Sequence, residues 1–133
     1  MTDRSPTDIQ QRTFEFAKRI VNLVDRLPRT LAATEIGRQM LRSGTSVGAN
    51  MQEADAAESR SDFIHKVSIA LKEARETRYW LALVDATILG NDPEVQALLQ
   101  ESTELTKILF HCECAKDQSA MTNDEIAHVS ICH

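Results

Sequence analysis

The chain is poor in the residues that punctuate a β fold. Four glycines and three prolines in 133 residues are too few to turn a chain repeatedly between short strands. Aromatics make up 5% of the sequence. No apolar run approaches the roughly 18 residues that a membrane span needs, which excludes a transmembrane helix. The first residues, Met1 to Thr7, are polar and contain no apolar h-region, so a secretory leader is not expected. The three cysteines all lie after residue 110. An odd, clustered set is not a disulfide framework, and ordinary thiols in a reducing cytoplasm are the simplest expectation. A basic excess is also missing. Fifteen Lys and Arg stand against twenty Asp and Glu, a formal charge of −5, so the whole chain carries no nucleic-acid footprint. Walker loops, dinucleotide fingerprints, nucleophile elbows and HExxH are all absent from the sequence, which argues against an enzyme.

What is present is helical periodicity. Phe16, Ile20, Leu23, Val24 and Leu27 recur at helical spacing. They follow a Thr7-x-x-Gln10 capping-box pattern and end at Pro28. A second segment, from about Thr30 to Ala57, carries Ile36, Met40, Val47, Met51 and Ala54 as an apolar stripe. Its middle holds Gly44 and Gly48. Each costs about 1 kcal/mol relative to Ala inside a helix. Their i,i+4 spacing puts them on one face, where small residues would let another helix approach closely.

The third segment starts near Ser59 to Asp62, with Ser59 or Ser61 as the cap. Phe63, Val67, Ala70, Ala74, Thr77, Leu81, Val84 and Ile88 then form a heptad seam, flanked by Ile64 and Leu71. Gly90-Asn91-Asp92-Pro93 supplies a stop, a turn and a new start. The fourth segment, to about Lys116, presents Val95, Leu98, Leu99, Leu105, Ile108 and Leu109. Four helices with short connections predict an all-α, antiparallel up-down-up-down four-helix bundle over residues 1–116. A C-terminal tail follows over 117–133. Thr122 to Glu125 reads as a further capping box, so a short fifth helix is expected there at most.

The stretch Arg42-Ser43-Gly44-Thr45-Ser46-Val47-Gly48-Ala49-Asn50-Met51-Gln52-Glu53-Ala54 is the most distinctive in the chain, followed by Ser61 to Leu81. Together they strongly resemble the four helix bundle proteins, also called the 23S ribosomal RNA intervening-sequence proteins. The pattern Ser-[Ile/Val]-x-x-Asn-[Ile/Met]-x-Glu-[Gly/Ala] is matched at Ser46, Val47, Asn50, Met51, Glu53 and Ala54. The likeness runs best from about Phe16 to Leu89. It implies a bundle that assembles as a ring, with a homopentamer favoured, and a cellular role that is unknown. The accessory variability protein of diversity-generating retroelements is related in fold. It is a basic pentamer that binds nucleic acid and a reverse transcriptase. The present chain departs from it in charge.

Three sets of residues are candidates for function. Ser46, Asn50 and Glu53 lie on one face of the second helix, as a polar assembly surface or a register stripe. Glu53 has Arg38, Arg42, Arg75 and Arg78 as candidate partners, and Glu73 and Glu76 invite the same reading. Tyr79 and Trp80 are adjacent, so both cannot face the core, and one of them is a candidate interface anchor. The mild basic bias of residues 1–60 (nine Lys and Arg against eight Asp and Glu) sits at Arg12, Lys18, Arg19, Arg26, Arg29, Arg38 and Arg42. These residues form either a solvated face with interhelical ion pairs or a nucleic-acid face.

Metal chemistry offers two weaker sets. His111 with Cys114 and His128 with Cys132 could supply a Cys2His2 zinc set, with Cys112 pointing away. Asp62 with His65 and Glu125 with His128 are poorly placed for a di-iron carboxylate site. No cofactor is expected. The leading function is a non-catalytic, self-assembling, cytoplasmic bundle acting as an interaction scaffold. An RNA- or DNA-associated accessory protein and a metal-binding bundle are the alternatives.

Overall fold

The structure, a computed structural model, describes residues 8–114. Four helices account for nearly all of it: α1 (Asp8–Asp25), α2 (Leu31–Asp55), α3 (Arg60–Thr87) and α4 (Pro93–Cys114). There is no strand among the described residues. Consecutive helices run antiparallel and pack side by side; of the four neighbouring pairs α2 against α3 is the most extensive and α1 against α4 the least. The expected fifth helix and the tail lie outside the described residues.

Local chemistry sets the helix ends. Pro28 closes the first segment. The last turn of α1 tightens there, with the amides of Arg26 and Leu27 reaching the carbonyls of Leu23 and Val24. Thr30 caps α2, its hydroxyl oxygen accepting from the Ala33 amide at 3.2 Å. Ser59 caps α3 by accepting from the Asp62 amide at 3.0 Å. Each cap contributes about 1 kcal/mol. Between α3 and α4 the left-handed residue is Asn91, with φ 61°, rather than the neighbouring Gly90. Asn tolerates that geometry better than other side chains that carry a Cβ. Asp92 then caps α4, its Oδ1 accepting from the amides of Glu94 and Val95. At the start of α1, the Thr7 half of the expected capping box lies outside the described residues, and Gln10 turns toward α2. Its Nε2 donates across to the Met51 carbonyl on α2 at 2.8 Å.

The α3 seam is buried as its heptad spacing predicts: Phe63, Val67, Ala70, Ala74, Thr77, Leu81 and Val84 all face the core, with Ile64 and Leu71 beside them. Opposite stand Phe16, Ile20 and Leu23 of α1, Met40, Val47 and Met51 of α2, and Leu98, Leu105 and Leu109 of α4. The core also takes polar side chains that periodicity does not flag. Thr77 Oγ1 lies 2.9 Å from Ser43 Oγ, a fully buried bond between α3 and α2. Thr13 is buried and donates back to the Ile9 carbonyl. At the end of α4, Cys112 turns inward. It is buried and disulfide-bonded, while Cys114 is an exposed free thiol. The expectation of ordinary thiols therefore fails at Cys112, which does point away from the exposed His111 and Cys114 as its spacing predicts. The buried positions Leu98, Leu105, Leu109 and Cys112 continue one stripe of the helix.

The small face of α2 lets α1 come close. A Cβ at Gly44 would stand 2.8 Å from Ile20 Cγ2, and one at Gly48 would stand 3.2 Å from the Thr13 carbonyl oxygen. Real Cβ atoms do not sit at the first distance, and the second neighbour is backbone that cannot rotate away. The helix runs unbroken through both glycines. Their helix-propensity cost is offset by the packing it permits. Gly44→Val is therefore expected to destabilise the fold by about 2 kcal/mol or more through overpacking. At Gly90 a Cβ would meet only Asp85 O at 3.4 Å, so Gly90→Ala should stay within about 0.5 kcal/mol. Urea unfolding of the two variants beside the parent checks both, and equal losses would show that the α1–α2 approach is not constrained at Gly44.

Candidate functional site

The surface of the bundle, rather than a cavity, holds the candidate groups. Along the α1–α4 face, Arg12, Arg19 and Arg26 recur every seven residues and point at the same partner helix. Arg12 donates to both oxygens of Glu101 at 2.6 and 3.2 Å. Arg19 does the same to Glu94 at 2.7 and 3.1 Å. Arg26 grips Asp92 at 3.1 and 3.2 Å. These are two-pronged guanidinium–carboxylate pairs, the geometry that suits Arg best. They form a ladder across the least closely packed of the four neighbouring helix pairs.

Electrostatics follow the geometry. The hydrogen bond from Arg26, then those from the backbone amide of Val95 and the nearby positive charge, hold the Asp92 carboxyl below the usual carboxylate range. The hydrogen bond from Arg19 does the same for Glu94. The arginines are pushed up in turn, Arg19 chiefly by its bond to Glu94 and Arg26 by its bond to Asp92.

On the α2–α3 face Arg42 is the hub. Its Nη1 donates to Glu73 at 3.2 Å, its Nη2 donates to Glu76, and Gln39 Oε1 accepts from its Nε. Glu76 also accepts from the indole of Trp80 at 3.1 Å. The bond that Arg42 donates to Glu76 is the main reason its guanidinium is raised. The polar stripe is arranged differently from its expected partners. Ser46 Oγ donates to the Arg42 carbonyl and Asn50 Nδ2 to the Ser46 carbonyl, both at 2.8 Å and both within α2. Glu53 reaches α3 but meets Lys66, at 3.7 Å, and none of the four arginines considered for it. Helix length explains this: Arg38 and Arg42 lie three to four turns away along α2, and Lys66 stands level with Glu53 across the antiparallel pair.

Of the seven residues of the basic face, Arg12, Arg19, Arg26 and Arg42 thus carry carboxylate partners on other helices. Lys18 faces Glu15 loosely at 3.6 Å. Arg29 and Arg38 are exposed and have no ion pair among the described residues. The seven-residue spacing of the arginines, and of Glu94 and Glu101, is visible in the sequence. That the two rows face each other is not.

Tyr79 and Trp80 divide as adjacency requires. Trp80 packs partly buried against the core, and Tyr79 is 61% exposed. Their rings meet edge to face at 5.1 Å. His111 and Cys114 are both exposed at the end of α4. His128 and Cys132, the other half of the conjectured zinc set, lie outside the described residues, as does Glu125. Among the described residues no group of three or more His, Cys, Asp and Glu side chains could hold a metal ion. No helix there is long and apolar enough to cross a membrane.

The sequence profile of the 23S rRNA-intervening sequence proteins matches residues 6–111. The chain belongs to that family. A solved relative agrees: a protein with unknown function from the S23 ribosomal protein family of Bacteroides thetaiotaomicron VPI-5482. It is 44% identical, with a TM-score of 0.73 over 79% of this chain and 97% of the relative. No curated protein matches. In this intervening-sequence protein the motif that carries the resemblance has two sides. Val47, Met51 and Ala54 are core, while Ser46, Asn50 and Glu53 lie along the α3-facing edge of α2.

The α1–α4 ladder gives a pH dependence with a definite sign. Asp92 and Glu94 bind protons less readily folded than unfolded. The stability they add is full above the unfolded carboxylate range, about pH 4. It is lost as pH falls through their depressed folded values. Melting temperature should therefore fall on acidification from neutral pH toward about pH 3. Arg19→Gln with Arg26→Gln should flatten that fall, and high salt should weaken it because the pairs are largely exposed. Melts across the pH series, parent against double variant, check this. Identical slopes would remove the ladder as a source of acid sensitivity.

Proposed function

We propose that this family member is a non-catalytic scaffold that self-associates, with a closed ring of five copies favoured. The observation that carries this reading is the outer face of the α1–α2 pair. Phe14 is 62% exposed, and Val21 and Leu41 are exposed with it. Helical geometry places Gln10, Ala17, Thr45, Gly48 and Gln52 between and around them. No charged side chain enters this groove, although 26% of the chain is charged. Lys18, Asp25 and Arg38 only border it. Depletion of charge around exposed aromatic and aliphatic groups is the composition of an interface core. The other helix pairs are bridged by the arginine ladder, by the Arg42 hub, and by contacts such as that of Ser68 with Glu113. At the α1–α2 groove the side-chain bridge is the single bond from Gln10 to the Met51 carbonyl.

The resemblance to ring-forming intervening-sequence proteins supports a second copy of the chain as the occupant. A ring needs each copy to offer this face to a different face of its neighbour. The likeness in fold to the accessory variability protein belongs to the same reading. A cytoplasmic location accords with it, and it needs neither metal nor cofactor.

Native mass spectrometry of the purified chain tests it. A mass at a multiple of 14.9 kDa, five-fold if the ring is pentameric, is the expected result. Phe14→Glu combined with Val21→Glu should return the protein to monomer while leaving its helical circular dichroism intact, because both side chains already face water. A parent protein that is monomeric at micromolar concentration overturns the proposal.

A further inference from the structure

Among the described residues, a row of cations without carboxylate partners stands on α3, apart from the isolated Arg29 and Arg38 of the α1–α2 half. Lys72, Arg75 and Arg78 follow one another at i, i+3 and i+6 on α3 and are exposed. None has a carboxylate partner among the described residues. The Arg75 Cζ lies 5.9 Å from the centre of the Phe110 ring on α4, which tethers its guanidinium to an aromatic surface and leaves its N–H edges unclaimed. Lys107, one turn before Phe110, is exposed and only loosely paired with Glu104, at 3.6 Å. Two aromatic side chains stand among these cations: Tyr79, one turn beyond Arg75 on α3 and 61% exposed, and Phe110 itself, 51% exposed. The nearby carboxylates include Glu76, one turn beyond Lys72 and engaged by Arg42 and Trp80, Glu104, which faces Lys107, and Glu113, which accepts from Ser68.

An unpaired cationic row beside exposed ring faces has the composition of a single-strand platform. The cations neutralise phosphates and the rings take unstacked bases. We propose that the outer α3–α4 face binds single-stranded nucleic acid. Lys72, Arg75 and Arg78 contact the phosphates, and Tyr79 and Phe110 supply the stacking surface. The face lies across the bundle from the α1–α2 groove, so it goes beyond self-association and does not require it. The net charge of −5 does not prevent this. Interaction between exposed charges fades beyond a Debye length of about 10 Å at 0.1 M salt, so the local set of charges governs contact.

The test is fluorescence anisotropy of a labelled oligouridylate of about 15 nucleotides with the full chain, beginning near 20 mM salt. Binding is expected to weaken with salt at a log–log slope of about −2, the value for three phosphates neutralised on a single strand. Arg75→Ala or Arg78→Ala should each reduce that slope by about 0.7. Tyr79→Ala should weaken binding about tenfold, while Tyr79→Phe, which keeps the ring, should not. Arg29→Ala and Arg38→Ala, at the two unpaired cations of the α1–α2 half, should leave the slope unchanged. All these side chains are exposed, and unchanged circular dichroism confirms that each variant folds. No binding at the lowest salt overturns the proposal. So does binding indifferent to Arg75 and Arg78, or equal affinity for a duplex that Tyr79→Ala does not alter.

Discussion

The close approach of α1 to α2 at Gly44 and Gly48 is the constraint on which the rest of the surface depends. With Ile20 side-chain atoms and the Thr13 backbone where a Cβ would otherwise stand, α1 is fixed both in depth and in rotation. A helix seated that deeply cannot turn its apolar stripe elsewhere. Phe16, Ile20 and Leu23 go into the core. The row at Arg12, Arg19 and Arg26 is aimed at α4, and Phe14 and Val21 are left on the outer flank. One steric fact therefore sets the contents of two faces.

The arginine ladder follows from that rotation. α1 and α4 are the first and last helices of the bundle and the least closely packed of the four neighbouring pairs. Bidentate pairs at heptad intervals hold that seam with direction as well as attraction, because each guanidinium fits one carboxylate at one level. The pairs are exposed enough that each adds little by itself. Their arrangement also consumes the positive charge that makes the first half of the chain look basic. A count of Lys and Arg along the sequence locates charge on the first two helices. Among the described residues, the cations without carboxylate partners include a row on α3, at Lys72, Arg75 and Arg78, besides the isolated Arg29 and Arg38.

The family motif divides into an apolar and a polar half in the structure. Its apolar half, Val47, Met51 and Ala54, is core. Its polar half splits between bonds inside α2, from Ser46 and Asn50, and a reach to α3 from Glu53. With the buried Ser43–Thr77 bond and the adjacent Arg42 hub at one level and the Glu53–Lys66 contact at another, α2 is tied to α3 at two levels. A long antiparallel pair with a plain heptad seam could slip by a heptad. Polar contacts at distinct levels oppose such a slip, because each would lose its partner.

The sequence by itself determined the helices, their order and most of their buried faces. Heptad spacing on α3, the prolines at 28 and 93, and the paired glycines of α2 are local signals, and local signals survive without knowledge of the fold. Even the reason for Gly44 and Gly48 was legible, since two small residues one turn apart have few uses inside a helix. What only the tertiary structure decided was partnership. Whether Glu53 meets an arginine or Lys66, which helix receives Arg12, Arg19 and Arg26, which of Tyr79 and Trp80 stays in water, and that Cys112 turns inward all depend on the level and rotation of one helix against another. Those quantities are set by packing across the core. They involve residues tens of positions apart, and no spacing within a single helix encodes them.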